Sequence, residues 1–192
     1  MRAAIFIDGG YFLSWAKNHN IQPKYDTLAD FLLKPLRRSV PLDLLRCYFY
    51  YCAPWMSEKP TESEIRRMAE HDIFVEELGA IERWAVRLGK LQKRREGYKE
   101  YFEQKRVDVL LSVDMVRHAA AGHIQHAIVL AGDSDFIPAI EAVKESGATV
   151  SLWTGDANTA HKDLVKLADI THILDPKKVP SKSKLLSFGS KK

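Results

Sequence analysis

Apolar positions along the chain follow two periods. Residues 3–7 and 127–131 are short unbroken apolar runs, each stopped by glycine and aspartate: Asp8-Gly9-Gly10 after the first, Gly132-Asp133-Ser134-Asp135-Phe136 after the second. Runs this short, bounded by turn residues, read as strands buried on both faces of a parallel sheet. The aromatic-rich stretch 44–51 and the stretch 149–153 read the same way, and a short strand is expected at 172–174. Helical spacing occupies the intervals. Residues 11–18 predict a short helix, and Asp26 looks like the cap of one running through Leu28, Phe31, Leu32 and Leu36. Thr61 with Glu64 forms a capping box that opens a helix to about Leu78. Residues 107–121 place Val109, Leu110, Val113, Val116 and Ala120 on one stripe, and helices are also expected at 137–146 and 159–167. At Trp84, Val86 and Leu88 the period changes to two, so a strand starts there, with Glu96-Gly97 as a hairpin turn into 98–105. Strands alternating with helices predict an α/β chain with a mainly parallel sheet and helices on both faces.

Length adds one domain over 1–175, and the Pro/Ser/Lys segment 176–192 lacks periodicity and reads as a disordered basic tail. No apolar stretch is long enough to span a bilayer and no leader pattern opens the chain, which predicts a soluble cytoplasmic protein without a membrane partner. Cys47 and Cys52, five apart in one strand, point to opposite faces and cannot bridge. The formal net charge is +4, but segment 83–106 holds nine Lys and Arg against three Glu, and the tail adds six lysines. The body is otherwise acidic, so the positive charge is concentrated on a hairpin.

Those distributions frame the candidate chemistry. Asp8, Asp133 and Asp135 sit where strands end, which in open α/β sheets is the ligand edge. Asp108 and Asp114 lie in the helix after the hairpin, about 240 degrees apart, so only one of them can face that edge. Asp108 suits a cap, whereas Asp114 interrupts an apolar stretch and needs a partner; Asp114 is the one expected in the site. Carboxylates brought together repel unless a cation neutralises them, and an all-oxygen set without His or Cys selects Mg2+ or Mn2+. Phosphoryl hydrolysis is the natural use of such a site. A polyanion needs basic groups beside it, and Arg83, Arg87, Lys93, Arg94, Arg95, Lys105 and Arg106, interleaved with aromatics, can supply them; an ordinary solvated hairpin is the competing reading. His118, His123 and His126 read as residues of an exposed helix end and loop rather than a zinc site. Asp156 and Asn158 follow a strand to the same edge.

The motifs Ile7-Asp8-Gly9-Gly10, Lys105-Arg106-Val107-Asp108 with Asp114 beyond it, and Ala131-Gly132-Asp133-Ser134-Asp135-Phe136 resemble the NYN domain, the LabA-like branch of the PIN-like nuclease superfamily. The resemblance spans about Arg2 to Leu174. It implies a PIN-like fold, a three-layer α/β/α sandwich with a mainly parallel central sheet. It also implies metal-dependent endoribonuclease activity at Asp8, Asp114, Asp133 and Asp135, with Asp108 a further motif acid, and products with 5'-phosphate and 3'-hydroxyl ends. Tyr11 stands where many NYN domains have Asn, and Arg106 where Gly is usual; Tyr11 can still offer RNA a hydroxyl. A non-catalytic RNA-binding or regulatory NYN module is the alternative, and the sequence leaves open whether the chain forms a homo-oligomer.

Overall fold

Seven strands form one sheet: β1 (Arg2–Asp8), β2 (Asp43–Cys52), β3 (Trp84–Glu96), β4 (Lys99–Lys105), β5 (His126–Leu130), β6 (Thr149–Thr154) and β7 (Ile170–Ile173), in the order β4-β3-β2-β1-β5-β6-β7. Every neighbouring pair is parallel except β3 with β4. This computed structural model describes residues 1–37, 41–96, 99–155 and 160–182, and the side chains of 90–105 fall outside that description. The expected hairpin turn at Gly97 also lies outside it.

Alternation along the strands divides the core in two. Ala3, Ile5 and Ile7 of β1, with Cys47 and Phe49 of β2, pack under α1 (Gly9–Asn18), α2 (Tyr25–Arg37) and α3 (Glu62–Gly79). Ala4, Phe6, Tyr48, Tyr50 and Cys52 face α4 (Val107–Ala120), α5 (Ile137–Glu145) and α6 (Lys162–Leu167). Period-two side chains in a two-sided sheet produce this arrangement, a three-layer α/β/α sandwich. The two cysteines are buried on opposite faces as free thiols.

Local signals set most boundaries. The Thr61 hydroxyl accepts the Glu64 N–H and Glu64 accepts the Thr61 N–H at 2.7 Å, closing the capping box at the start of α3. Two elements depart from the sequence expectation. The apolar stripe named for α4 is split: Val109 is 63% and Val113 55% exposed and Ala120 is exposed too, Leu110 and Val116 pack at the core's margin, and Val107, Leu111, Asp114, Met115 and His118 face the sheet. Both faces of this helix carry apolar residues, and the adjoining sheet rather than the apolar count chooses between them. The other departure is after Asp175, where Val179 is buried in the α1–α3 core and Ser181 bridges Pro23 in antiparallel fashion. Residues 176–182 are therefore part of the folded body, and 183–192 lie outside the described residues. No described helix is long and apolar enough to cross a membrane.

Candidate active site

The chain leaves β1 on one side toward β2, and β5 lies on the other side of β1. The carboxyl ends of β1 and β5 thus flank the point where strand order reverses, which opens a crevice in such sheets. Asp8 is the last residue of β1 and caps α1, its Oδ1 accepting the Tyr11 N–H at 3.1 Å. Gly9 permits this tight entry, since a Cβ there would meet Phe49 Cε1 at 2.5 Å and the Tyr50 carbonyl oxygen at 2.6 Å. On the neighbouring strand end, Asp133 caps a 3-10 turn (Ser134–Phe136) by accepting the Asp135 N–H at 3.0 Å.

Between these ends lies a cleft of about 1010 Å³, lined by Asp8, Asp108 and Asp133 together with His161, Lys162 and Lys166. Burial pushes the Asp8 carboxyl up to about 6, with Asp108 and Asp133 adding to the rise and backbone N–H groups of Tyr11 and Gly10 opposing it. Asp108 is raised as well, by burial first and then by Asp133 and Asp135. Asp135 is exposed beside the cleft.

The NYN domain pattern matches residues 2–175. The chain belongs to the NYN domain family. NYN domains are generally associated with RNA, and PIN-like nucleases generally use divalent metals. A protein of unknown function from Vibrio parahaemolyticus, VPA0982, has a similar fold, with a TM-score of 0.63 at 17% identity over 91% of this chain and 93% of that one. Acinetobacter baumannii MurG superposes with a TM-score of 0.42 at 12% identity, over 95% of this chain and 44% of its own. No curated protein matches the chain.

The geometry reverses one expectation for this NYN domain. Asp108, in the first turn of α4, reaches the cleft, and Asp114 does not. Six residues further on, about 9 Å along the axis and turned by about 240 degrees, Asp114 faces the underside of the sheet. There it accepts a hydrogen bond from the Tyr50 hydroxyl at 3.1 Å and pairs with Arg117 at 3.1 Å and Arg87 at 3.4 Å. The partner its buried position demands is thus an ion-pair network.

The basic residues separate too. Arg83 belongs to the opposite, amino edge, where it pairs with Asp43 at 2.9 Å and donates to the Leu44 carbonyl at 2.6 Å. Arg87 is held by Asp114 over the Tyr48 ring. Lys93, Arg94, Arg95 and Lys105 lie on the β3–β4 arm, which extends past Gly89, the last residue paired with β2. Arg106 is exposed at the start of α4 with φ 76°, a left-handed conformation that explains why glycine suits this position. Tyr11 lines the cleft, and its hydroxyl accepts the Gly155 N–H at 2.7 Å. His118 and His126 are buried rather than exposed: the first contacts the Tyr48 hydroxyl at 2.8 Å, the second bridges Thr149 and Ser151. Asp156 and Asn158 lie outside the described residues.

Among the described residues, no three His, Cys, Asp or Glu side chains stand together as a preformed metal site. The donor chemistry nonetheless fits a hard divalent ion: three carboxylates share one cleft, and the most buried of them is held far above its ordinary range. No sequence pattern marks His161, Lys162 and Lys166 as cleft residues; their only signal is a place several residues after a strand that ends at the same edge.

Proposed function

We propose that this NYN domain, of the LabA-like branch, is a metal-dependent endoribonuclease acting at the Asp8, Asp108 and Asp133 cleft, with Asp135 at its rim. One observation carries the reading: Asp8 is buried against two further carboxylates at a strand-order reversal, an arrangement that costs stability unless a cation is recruited. Asp8, Asp108 and Asp133 would hold Mg2+ or Mn2+. When bound, such an ion lowers the pKa of a water and offsets charge on the leaving oxygen. The chain's own contribution is orientation. Asp8 and Asp133 are fixed by the backbone N–H groups they cap, and Asp108 by the first turn of α4. Arg106, at the start of the same helix, and the β3–β4 arm carrying Lys93, Arg94, Arg95 and Lys105 lie toward the same edge and suit backbone contact with RNA.

A second reading, a non-catalytic RNA-binding module, is favoured by Tyr11, whose hydroxyl is engaged by Gly155 where many relatives present an amide. Labelled single-stranded and hairpin RNA incubated with wild type and Asp133→Asn, in Mn2+, Mg2+ or EDTA, separates the two. Asparagine keeps the turn cap. Cleavage by wild type with 5'-phosphate and 3'-hydroxyl ends, lost in EDTA and in the variant while binding persists, is expected. Full cleavage by Asp133→Asn would sink the assignment, and binding without cleavage by wild type would establish the second reading.

A further inference from the structure

Beside the carboxylates, the start of α6 brings a charge pattern of its own to the same cleft. His161, Lys162, Asp163 and Lys166 line it. Backbone and core fix the position of this helix: the His161 N–H donates to the Gly132 carbonyl at 3.0 Å, one residue before Asp133, and Leu164 is fully buried. The lysines are thus tied to the strand end that carries Asp133 by a main-chain hydrogen bond rather than carried on an independent loop.

Lys162 and Lys166 are four apart on α6 and so project from one face. Lys162 forms no ion pair among the described residues, and neither lysine pairs with Asp8, Asp108 or Asp133 in the cleft. Lys166 Nζ lies 3.3 Å from Asp163 Oδ1, with both side chains well exposed, a type of pair that contributes little and yields to a stronger anion. An ammonium is a compact point charge suited to a phosphate, and two on one helix face match an extended strand better than a single small anion. A strand with one phosphate at the carboxylates would run on past lysines that line the same cleft.

The geometry points to α6 as the phosphate track for the RNA strand being cut: Lys162 and Lys166 hold phosphates adjacent to the scissile one, and Asp163 competes for Lys166. This assignment rests on the nuclease reading of the cleft. It moves the primary strand contact from the β3–β4 arm to a segment about sixty residues later.

The test is binding of a labelled single-stranded oligoribonucleotide to the full chain in EDTA, where cleavage is stopped, across a salt series. Lys162→Ala with Lys166→Ala is expected to weaken binding about tenfold and make the log–log salt slope shallower by about 1.4, the value for two lost single-strand phosphate contacts. Lys162→Arg with Lys166→Arg should restore affinity, and Asp163→Asn should tighten it by unmasking Lys166. Thermal melts verify that the variants fold. In Mn2+, the double alanine variant should raise KM far more than it changes kcat. Unchanged affinity and slope in that variant would overturn the track. If wild type cleaves nothing while the binding effect stands, the nuclease reading fails and the track survives; if wild type cleaves and the double variant matches it, the reverse holds.

Discussion

Asp8 carries opposing demands at the level of a single residue. Its carboxylate caps α1, which favours ionisation, yet burial and two neighbouring acids push it up to about 6. An acid whose folded pKa lies above its unfolded value binds more protons when folded, so its ionisation costs stability as pH rises from about 4 to 6. Other groups slope the opposite way, His126 among them, whose burial lowers it to about 4. The difference between wild type and Asp8→Asn isolates the term, since asparagine caps equally well. In EDTA the variant should equal wild type near pH 4 and exceed it by about 2 kcal/mol at pH 7, read from urea midpoints. A pH-independent difference would mean that Asp8 is not held high. Arg106 is strained in another way, because a left-handed backbone costs a non-glycine residue roughly 1 kcal/mol. Arg106→Gly is therefore expected to gain about 0.5 kcal/mol after the added unfolded-state entropy of glycine is subtracted. It should lose RNA affinity in the same protein, measured by anisotropy, if the guanidinium serves the substrate.

Among the elements, α4 shows how a helix distributes two similar residues into different jobs. Asp108 and Asp114 share a sequence neighbourhood, and the length and rotation between them send one to the cleft and the other beneath the sheet. Asp108→Asn removes a repelled carboxylate and should leave thermal stability unchanged or slightly higher while abolishing cleavage. Asp114→Ala strands the buried Tyr50 hydroxyl and releases Arg87 and Arg117, which should cost about 2–3 kcal/mol in denaturant unfolding. Cleavage by the folded fraction of that variant should persist. Total loss of turnover in a fully folded Asp114→Ala protein would return Asp114 to the chemistry. Legibility from sequence follows the same division. The position of α4 was visible from its apolar spacing, but not its orientation, because Val109 and Val113 repeat as regularly on the exposed side as Leu111 and Met115 on the buried one.

For the whole molecule, the β3–β4 arm is a separable feature. Among the described residues, β3 beyond Gly89 pairs only with β4, and β4 pairs only with β3. Replacing 90–105 with a short glycine linker should leave the melting temperature of the body nearly unchanged and reduce the salt dependence of RNA binding; a collapse of the fold would show that the arm braces the sheet. Several features were determined by the sequence alone. These are the strand cores at 3–7 and 127–131, the capping box at Thr61, the opposite-facing cysteines and the delivery of Asp8 and Asp133 to one edge. Each depends on period, propensity or turn chemistry within a few residues, which is local information. Only the tertiary structure decided that Asp108 rather than Asp114 faces the cleft, that Arg83 serves the far edge, and that His161, Lys162 and Lys166 line the same cleft as the carboxylates. Those outcomes depend on strand order, on the side from which each helix packs, and on a main-chain bond between His161 and Gly132, segments nearly thirty residues apart. No periodicity within one segment encodes such a meeting.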